Sequence, residues 1–120
     1  MKRIIFAALV GVLVSGVLGA RYAEAASAER TDQLLSKCTG MVMGEVGRLS
    51  CGRYIDGMMD MHSLFVGAGS KPFFCVPSQG ISIDQAMRIF IAWAYQHPKN
   101  LHKTPRSSVL IALRDAFPCQ

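Results

Sequence analysis

The stretch "FCVPSQGISIDQ" (Phe74–Gln85) contains a cysteine, a loop and a helix start, and the arrangement of the chain depends on how they connect. Ser82 and Gln85 form a capping box, in which the serine accepts a hydrogen bond from an early helical amide and the glutamine bonds back. A helix therefore begins near Ser82. The preceding residues are rich in Gly, Ser and Pro and form a loop, and Cys75 lies within it.

Apolar residues at helical spacing predict three further helices around this one. The helix that begins near Ser82 ends before Pro98, and Thr104 followed by Pro105 marks the start of the last helix. Either Ser27 or Thr31 caps the first helix. The four predicted helices span residues 27–39, 50–65, 82–96 and 104–117.

The second predicted helix carries an apolar stripe with helical spacing, which predicts a face buried within the domain. Its members are Tyr54, Met58, Met61 and Phe65, and His62 flanks them. Gly40, Gly44 and Gly47 predict a turn before this helix. Strand-like alternation is missing from the sequence, so the fold class is all-α, a small four-helix domain.

The N-terminus has the pattern of a secretory signal peptide. Lys2 and Arg3 precede the apolar stretch Ile4–Leu18, and Ala23-Glu24-Ala25 is a small-x-small cleavage site. The alternative is a membrane-anchoring helix, because the uncharged run approaches the roughly 17 residues that a span requires. We expect a signal peptide over residues 1–25 and one exported domain over residues 26–120, with no membrane attachment after cleavage.

Charge argues against a nucleic-acid partner. The whole chain has a net charge of +5, but residues 26–120 carry ten Lys and Arg against seven Asp and Glu, a net charge of +3. These basic residues are dispersed, with one loose cluster from Lys99 to Arg106. A nucleic-acid interface concentrates its basic side chains on one face.

Four cysteines in an exported chain of this size predict two disulfides. If the last two helices form an antiparallel hairpin, the start of one and the end of the other meet, which pairs Cys75 with Cys119. Cys38 and Cys51 flank the turn between the first two helices and form the second pair. A catalytic cysteine would leave an odd thiol unpaired, and the histidines lack metal-site spacing, so we expect neither catalytic nor metal-binding residues, and no cofactor.

Three segments resemble the Tai/Rap-type immunity proteins of bacterial type VI secretion: "CGRYIDGMMD" (Cys51–Asp60), the stretch quoted above, and "YQHPKNLHKTPRSSVLIALRDAFPC" (Tyr95–Cys119). The sequence departs from the family pattern at Arg53 and in its methionine-rich run. The resemblance implies a small helical periplasmic protein that binds a peptidoglycan amidase effector, occludes its active site and catalyses nothing. It also implies a cognate amidase as partner, and a homodimer.

Two exposed segments are candidate partner-binding surfaces. The loop contributes Ser70, Lys71 and Phe73, whereas Phe74, beside a disulfide, is expected to pack inward. The polar, basic link from His97 to Arg106 contributes His97, Lys99, His102 and Lys103. The alternative function is a periplasmic stress or chaperone-like binding protein, which would expose its methionine-rich helix on acidification.

Overall fold

The computed structural model describes residues 29–120, and its described part contains four α-helices and no strand. This confirms the all-α prediction. The helices are α1 (Thr31–Cys38), α2 (Gly44–Gly67), α3 (Ile83–Gln96) and α4 (Pro105–Ala116), and a short 3-10 helix, Pro98–Asn100, lies between α3 and α4. The predicted signal peptide and Ser27 lie outside the described residues. Within residues 29–120, no helix combines the length and the apolar character needed to cross a membrane.

The starts of α3 and α4 agree with their sequence signals. Ser82 is the N-cap of α3, and its Oγ accepts a hydrogen bond from the amide of Gln85 at 3.1 Å. Thr104 is the N-cap of α4, with Pro105 in the first turn. At α3 the serine oxygen satisfies an amide that the helix leaves unpaired, whereas α4 begins with Pro105, which has no amide to satisfy, and the Thr104 side chain forms no cap hydrogen bond.

The prediction that Ser27 or Thr31 caps α1 is wrong, because the N-cap is Arg30. The amide of Arg30 donates to the side-chain oxygen of Gln33 at 2.7 Å. Thr31 is instead buried, and its amide and hydroxyl both donate to the carbonyl oxygen of Lys103, each at 2.9 Å. Its polar atoms join α1 to the segment before α4.

The helix α2 begins at Gly44, so the prediction of a turn reaching to Gly47 is wrong. The turn ends earlier because Gly40 and Met43 adopt positive φ angles of 75° and 61°, which reverse the chain within a few residues. Gly47 is buried inside α2, where an added Cβ would lie 2.1 Å from the carbonyl oxygen of Val42. This glycine allows the turn to pack directly onto the helix.

All four helices contribute to one core. Its deepest side chains include Leu34 of α1, Ile55 of α2, Phe90 of α3 and Leu113 of α4, each at most 1% exposed. Burial of a side chain of this size stabilises the fold by about 1.5–3 kcal/mol. In the second half of α2 the predicted burial is wrong, since Met61 and Phe65 are 50% and 56% exposed.

Both predicted disulfides are confirmed. Cys38 bonds to Cys51 and Cys75 bonds to Cys119, with Cα atoms 5.0 Å apart in each pair. The first joins the end of α1 to α2. The second joins the loop before α3 to the C-terminus, and the amide of Cys75 also donates to the carbonyl oxygen of Phe117 at 2.9 Å.

The helices α3 and α4 pack against each other, and Trp93 Nε1 in the last turn of α3 donates to the carboxylate of Asp115 in the last turn of α4 at 3.1 Å. The link 97–104 between them contains the 3-10 turn. The Cys75–Cys119 disulfide joins the segment before α3 to the residues after α4, as the sequence predicts.

Candidate protein-binding site

The loop between α2 and α3 (residues 68–82) is attached to α2 at its beginning and middle. The amide of Ser70 donates to the carbonyl oxygen of Phe65 at 3.0 Å, and Gly69 has a φ of 94°, which turns the chain away from the helix. His62 Nε2 accepts a hydrogen bond from the amide of Phe73 at 3.1 Å. The loop therefore has a defined path across α2.

Phe74 anchors the same loop in the core. It is buried, as predicted, and its ring stacks on the His62 ring with centroids 3.9 Å apart and an angle of 16° between planes. Partial burial lowers the pKa of His62 below its usual value. A neutral imidazole is also what the geometry requires, because Nε2 can accept the Phe73 hydrogen bond only when it carries no proton.

The C-terminus holds the other side of the loop. The Cys75–Cys119 disulfide fixes the residue after Phe74, and the Arg114 guanidinium lies 5.6 Å from the centroid of the Phe73 ring. Such a cation–π contact contributes about 0.5–1 kcal/mol at an exposed site. Phe73 itself remains 46% exposed, although its amide is bonded to His62 and the next residue, Phe74, is buried.

An apolar groove lies between the second half of α2, the loop and the start of α4. Its volume is about 710 Å³. Among the described residues, the charged side chains that line it are Lys71 and Arg106, and no carboxylate does. The groove residues are Tyr54, Gly57, Met58, Met61, His62, Phe65, Val66, Ser70, Lys71, Phe73, Arg106 and Leu110.

The structure brings together only part of the predicted partner-binding set. Ser70, Lys71 and Phe73 all line the apolar groove, and so does Arg106, which ends the predicted basic link. The remaining predicted residues do not line it. They are His97, Lys99, His102 and Lys103.

The link residue His97 has a structural role at the end of α3. Its ring stacks on Trp93 at a centroid distance of 4.4 Å, and Nδ1 donates to the Trp93 carbonyl oxygen at 2.8 Å. His97 and Lys99 line a separate cavity of about 440 Å³. Lys99, His102 and Lys103 are exposed.

The groove residues missed by sequence reasoning lie mainly on α2. The sequence does not predict Met61, Phe65 and Val66 at a binding surface, although the stripe Tyr54, Met58, Met61, Phe65 is visible in it. The periodicity predicts the stripe as core. Tyr54 and Met58 do pack against the core, but the stripe continues past its edge.

The described residues offer few groups for catalysis or metal binding. In residues 29–120, all four cysteines are in disulfides, and no group of three or more His, Cys, Asp or Glu side chains is placed to bind a metal ion. Asp56 pairs weakly with Arg53 on the surface of α2, with a nitrogen–oxygen distance of 4.0 Å. The apolar groove is therefore the main candidate binding site among the described residues.

Comparison with known proteins gives one result. The family model of the Rap1a immunity proteins matches residues 30–119, which is nearly all of the described chain. No curated protein and no solved structure matches. The matched range includes all four helices, both disulfides and every groove residue.

Proposed function

Because this chain belongs to the Rap1a immunity protein family, we propose that it is a periplasmic immunity protein that blocks a peptidoglycan amidase effector. The effector is delivered by a type VI secretion system, and the protein acts by binding alone, without catalysis. The observation that carries the proposal is the fixed loop 68–82, which holds Phe73 half-exposed beside an apolar groove.

A fixed loop suits an inhibitor because binding then costs little conformational entropy. Immobilising a side chain on binding costs about 0.5–1.5 kcal/mol of free energy, and a preformed loop has already lost that conformational freedom. His62, the disulfide and Arg114 restrain the loop from three sides. Exposed aromatic side chains on such loops are typical anchors in protein interfaces.

Export to the periplasm is supported by two features. Disulfides form and persist in oxidising compartments, and this domain has two of them. The sequence of residues 1–25 has the pattern of a cleaved signal peptide. Both features fit an inhibitor that meets its target outside the cytoplasm.

The experiment is protection of a Gram-negative host against amidases sent to its periplasm. Each amidase effector encoded in the same genome is produced with and without this protein, and lysis is followed by optical density. One amidase should become harmless, and the purified protein should inhibit it in vitro. Failure to inhibit any of these amidases would contradict the proposal.

A matched pair of variants tests the loop. Phe73→Ala should reduce inhibition at least tenfold, whereas Tyr95→Ala should not change it. Both residues are exposed aromatics, but Tyr95 lies on α3 and does not line the groove. Equal inhibition by both variants would show that the loop is not the blocking element.

We also propose that the protein forms a homodimer, through a second apolar patch at the turn between α1 and α2. The patch does not overlap the groove. The double variant Val46→Lys, Leu49→Lys should be a monomer in light scattering, whereas the natural protein should be a dimer. The position of Phe73 at the groove should not change. Its exposed members are Met41, Val42, Met43, Val46 and Leu49.

The alternative function is a periplasmic stress or chaperone-like binding protein, and the exposed apolar groove supports it. A chaperone of this kind would suppress the aggregation of several unrelated proteins, and more strongly at low pH. The immunity protein would instead form a complex with one amidase. Aggregation assays with unrelated clients at pH 5 and pH 7 separate the two functions.

A further inference from the structure

We propose that the apolar groove receives a segment of the effector in which apolar side chains are flanked by carboxylates. The apolar side chains would pack against α2 and Phe73, and the carboxylates would pair with Lys71 and Arg106. This inference rests on the proposed function, because it names the chemistry of the partner that the loop blocks.

The floor of the groove exposes large apolar side chains that the domain leaves uncovered. Met61, Phe65 and Phe73 are each about half exposed and line one continuous cavity. Contiguous exposed apolar surface of this kind marks a binding site more often than isolated exposed residues do. The second half of the stripe, Met61 and Phe65, is therefore an apolar helix face that the rest of residues 29–120 leaves half exposed.

The charges at the groove specify the partner further. Lys71 and Arg106 are exposed, no carboxylate lines the groove, and neither cation forms an ion pair within the part of the chain that the structure describes. The cavity on the opposite part of α2 differs, because its cations and carboxylates are mixed. That cavity is lined by Glu45, Arg48, Arg53, Asp56 and Asp84, among others.

Size and rigidity favour a short peptide segment as the occupant. A volume of about 710 Å³ accommodates several side chains, and one wall is the loop fixed by His62 and Phe74. Two cations from separate elements, one on the loop and one at the start of α4, suit a segment with carboxylates on both sides of its apolar part. Charge complementarity of this kind mainly raises the rate of association.

Gly57 provides a variant that fills the groove without disturbing the fold. It lies in the middle of α2 and lines the groove, and an added Cβ would meet no atom within 4 Å. Leucine also has a higher helix propensity than glycine. Gly57→Leu should therefore unfold at the same temperature as the natural protein or a higher one, while its side chain occupies the binding space.

The experiment uses two labelled synthetic peptides and the inhibited amidase. One peptide has a central Phe-Leu pair flanked by Asp and Glu, and the other has the same pair flanked by Lys. Fluorescence polarisation should give at least tenfold tighter binding of the acidic peptide at low salt. Gly57→Leu and the double variant Lys71→Glu, Arg106→Glu should each weaken that binding at least tenfold.

Arg53→Glu is the matched control, because it reverses an exposed charge on α2 outside the groove and should leave binding unchanged. The same variants are then tested as amidase inhibitors, with at least tenfold weaker inhibition expected for Gly57→Leu. If the natural protein and Gly57→Leu inhibit the amidase equally, the proposed function stands and this inference is wrong. If no amidase is inhibited, the proposed function is wrong, and the peptides alone decide the chemistry of the groove.

Three other results would overturn the inference. Equal binding of the two peptides would remove the charge argument. Binding of oleate without binding of the acidic peptide would make the occupant an anionic lipid. A dimer that Gly57→Leu converts to a monomer in light scattering would make the occupant a second copy of this chain.

Discussion

The ring of His62 stacks on the ring of Phe74 at a centroid distance of 3.9 Å, and this contact connects the loop 68–82 to α2. The same imidazole accepts the hydrogen bond from the amide of Phe73. One buried and one half-exposed phenylalanine are therefore positioned by one side chain. The loop depends on the protonation state of that side chain, because only neutral imidazole can accept this bond.

We expect the loop to loosen in acid. The pKa of His62 is lower in the folded protein than the usual value of about 6.5, because burial penalises the charged form. A lowered pKa means that the unfolded chain binds the proton first. The free energy of unfolding should thus be constant above about pH 6.5, fall as the pH drops below it, and level off below the folded-state pKa. Urea unfolding between pH 7.5 and pH 4.5 measures this.

His62→Gln is the control for this titration, because glutamine can accept a hydrogen bond but does not titrate. The pH dependence assigned to His62 is the difference between the natural protein and this variant. Identical pH profiles for the two proteins would show that His62 does not control the loop.

The disulfides should differ in their contribution to stability and to binding. Loop-closure entropy grows with the number of residues enclosed, and the disulfides span separations of 13 and 44 residues. Replacing Cys75 and Cys119 with alanine should reduce the free energy of unfolding by about 1 kcal/mol more than replacing Cys38 and Cys51. Urea unfolding of the two double variants measures the difference.

Removing each disulfide should have effects on amidase inhibition that differ more clearly than the effects on stability. Cys75 follows the two phenylalanines of the loop, whereas the Cys38–Cys51 disulfide joins α1 to α2. At a temperature where both double variants are folded, only the loss of Cys75–Cys119 should weaken amidase inhibition. Equal loss of inhibition in both variants would contradict this assignment.

The disulfides could be predicted because three of the four cysteines lie at a helix end or in a connecting segment and have few partners within reach, and only Cys51 lies inside a helix. The prediction of Cys75–Cys119 succeeded because the segment before α3 and the residues after α4 lie side by side, as the hydrogen bond from the Cys75 amide to the Phe117 carbonyl oxygen also shows. The extent of α2 could not be predicted, because Gly44 and Gly47 are ordinarily read as turn residues. At Gly47 the reason for the glycine is contact with another part of the backbone, which helix propensity does not include.

The groove shows a different limit of sequence reasoning. The periodicity of Tyr54, Met58, Met61 and Phe65 correctly predicts an apolar helix face, but periodicity does not say what covers that face. Lys71 and Arg106 are far apart in sequence, and only the packing of α4 brings both to the groove. The polar, basic character of the link predicts His97 and Lys99 as a second binding surface, and the fold places them at a cavity separate from the groove.

Gly47→Ala should destabilise the protein strongly. Its Cβ would lie 2.1 Å from the Val42 carbonyl oxygen and 3.3 Å from that of Lys37, so the turn after α1 must move away from α2. We expect a loss of about 2–3 kcal/mol, at the upper end of common single substitutions. Gly57→Ala is the matched control, because its Cβ would lie in open space. It should raise the free energy of unfolding by about 1 kcal/mol. Similar effects of both substitutions would mean that helix propensity, not the close approach, governs Gly47.

The buried hydroxyl pair Thr31 and Ser108 should couple α1 to α4. Their oxygen atoms lie 2.8 Å apart, both residues are at most 1% exposed, and Thr31 also donates to the Lys103 carbonyl oxygen. Thr31→Val keeps the shape of the side chain but leaves Ser108 without this partner, which should cost about 1–3 kcal/mol. Ser108→Ala should cost less, because Thr31 retains its bond to Lys103. A double-mutant cycle by urea unfolding should give a coupling energy of about 1 kcal/mol, and strictly additive effects would show that the two hydroxyls act independently.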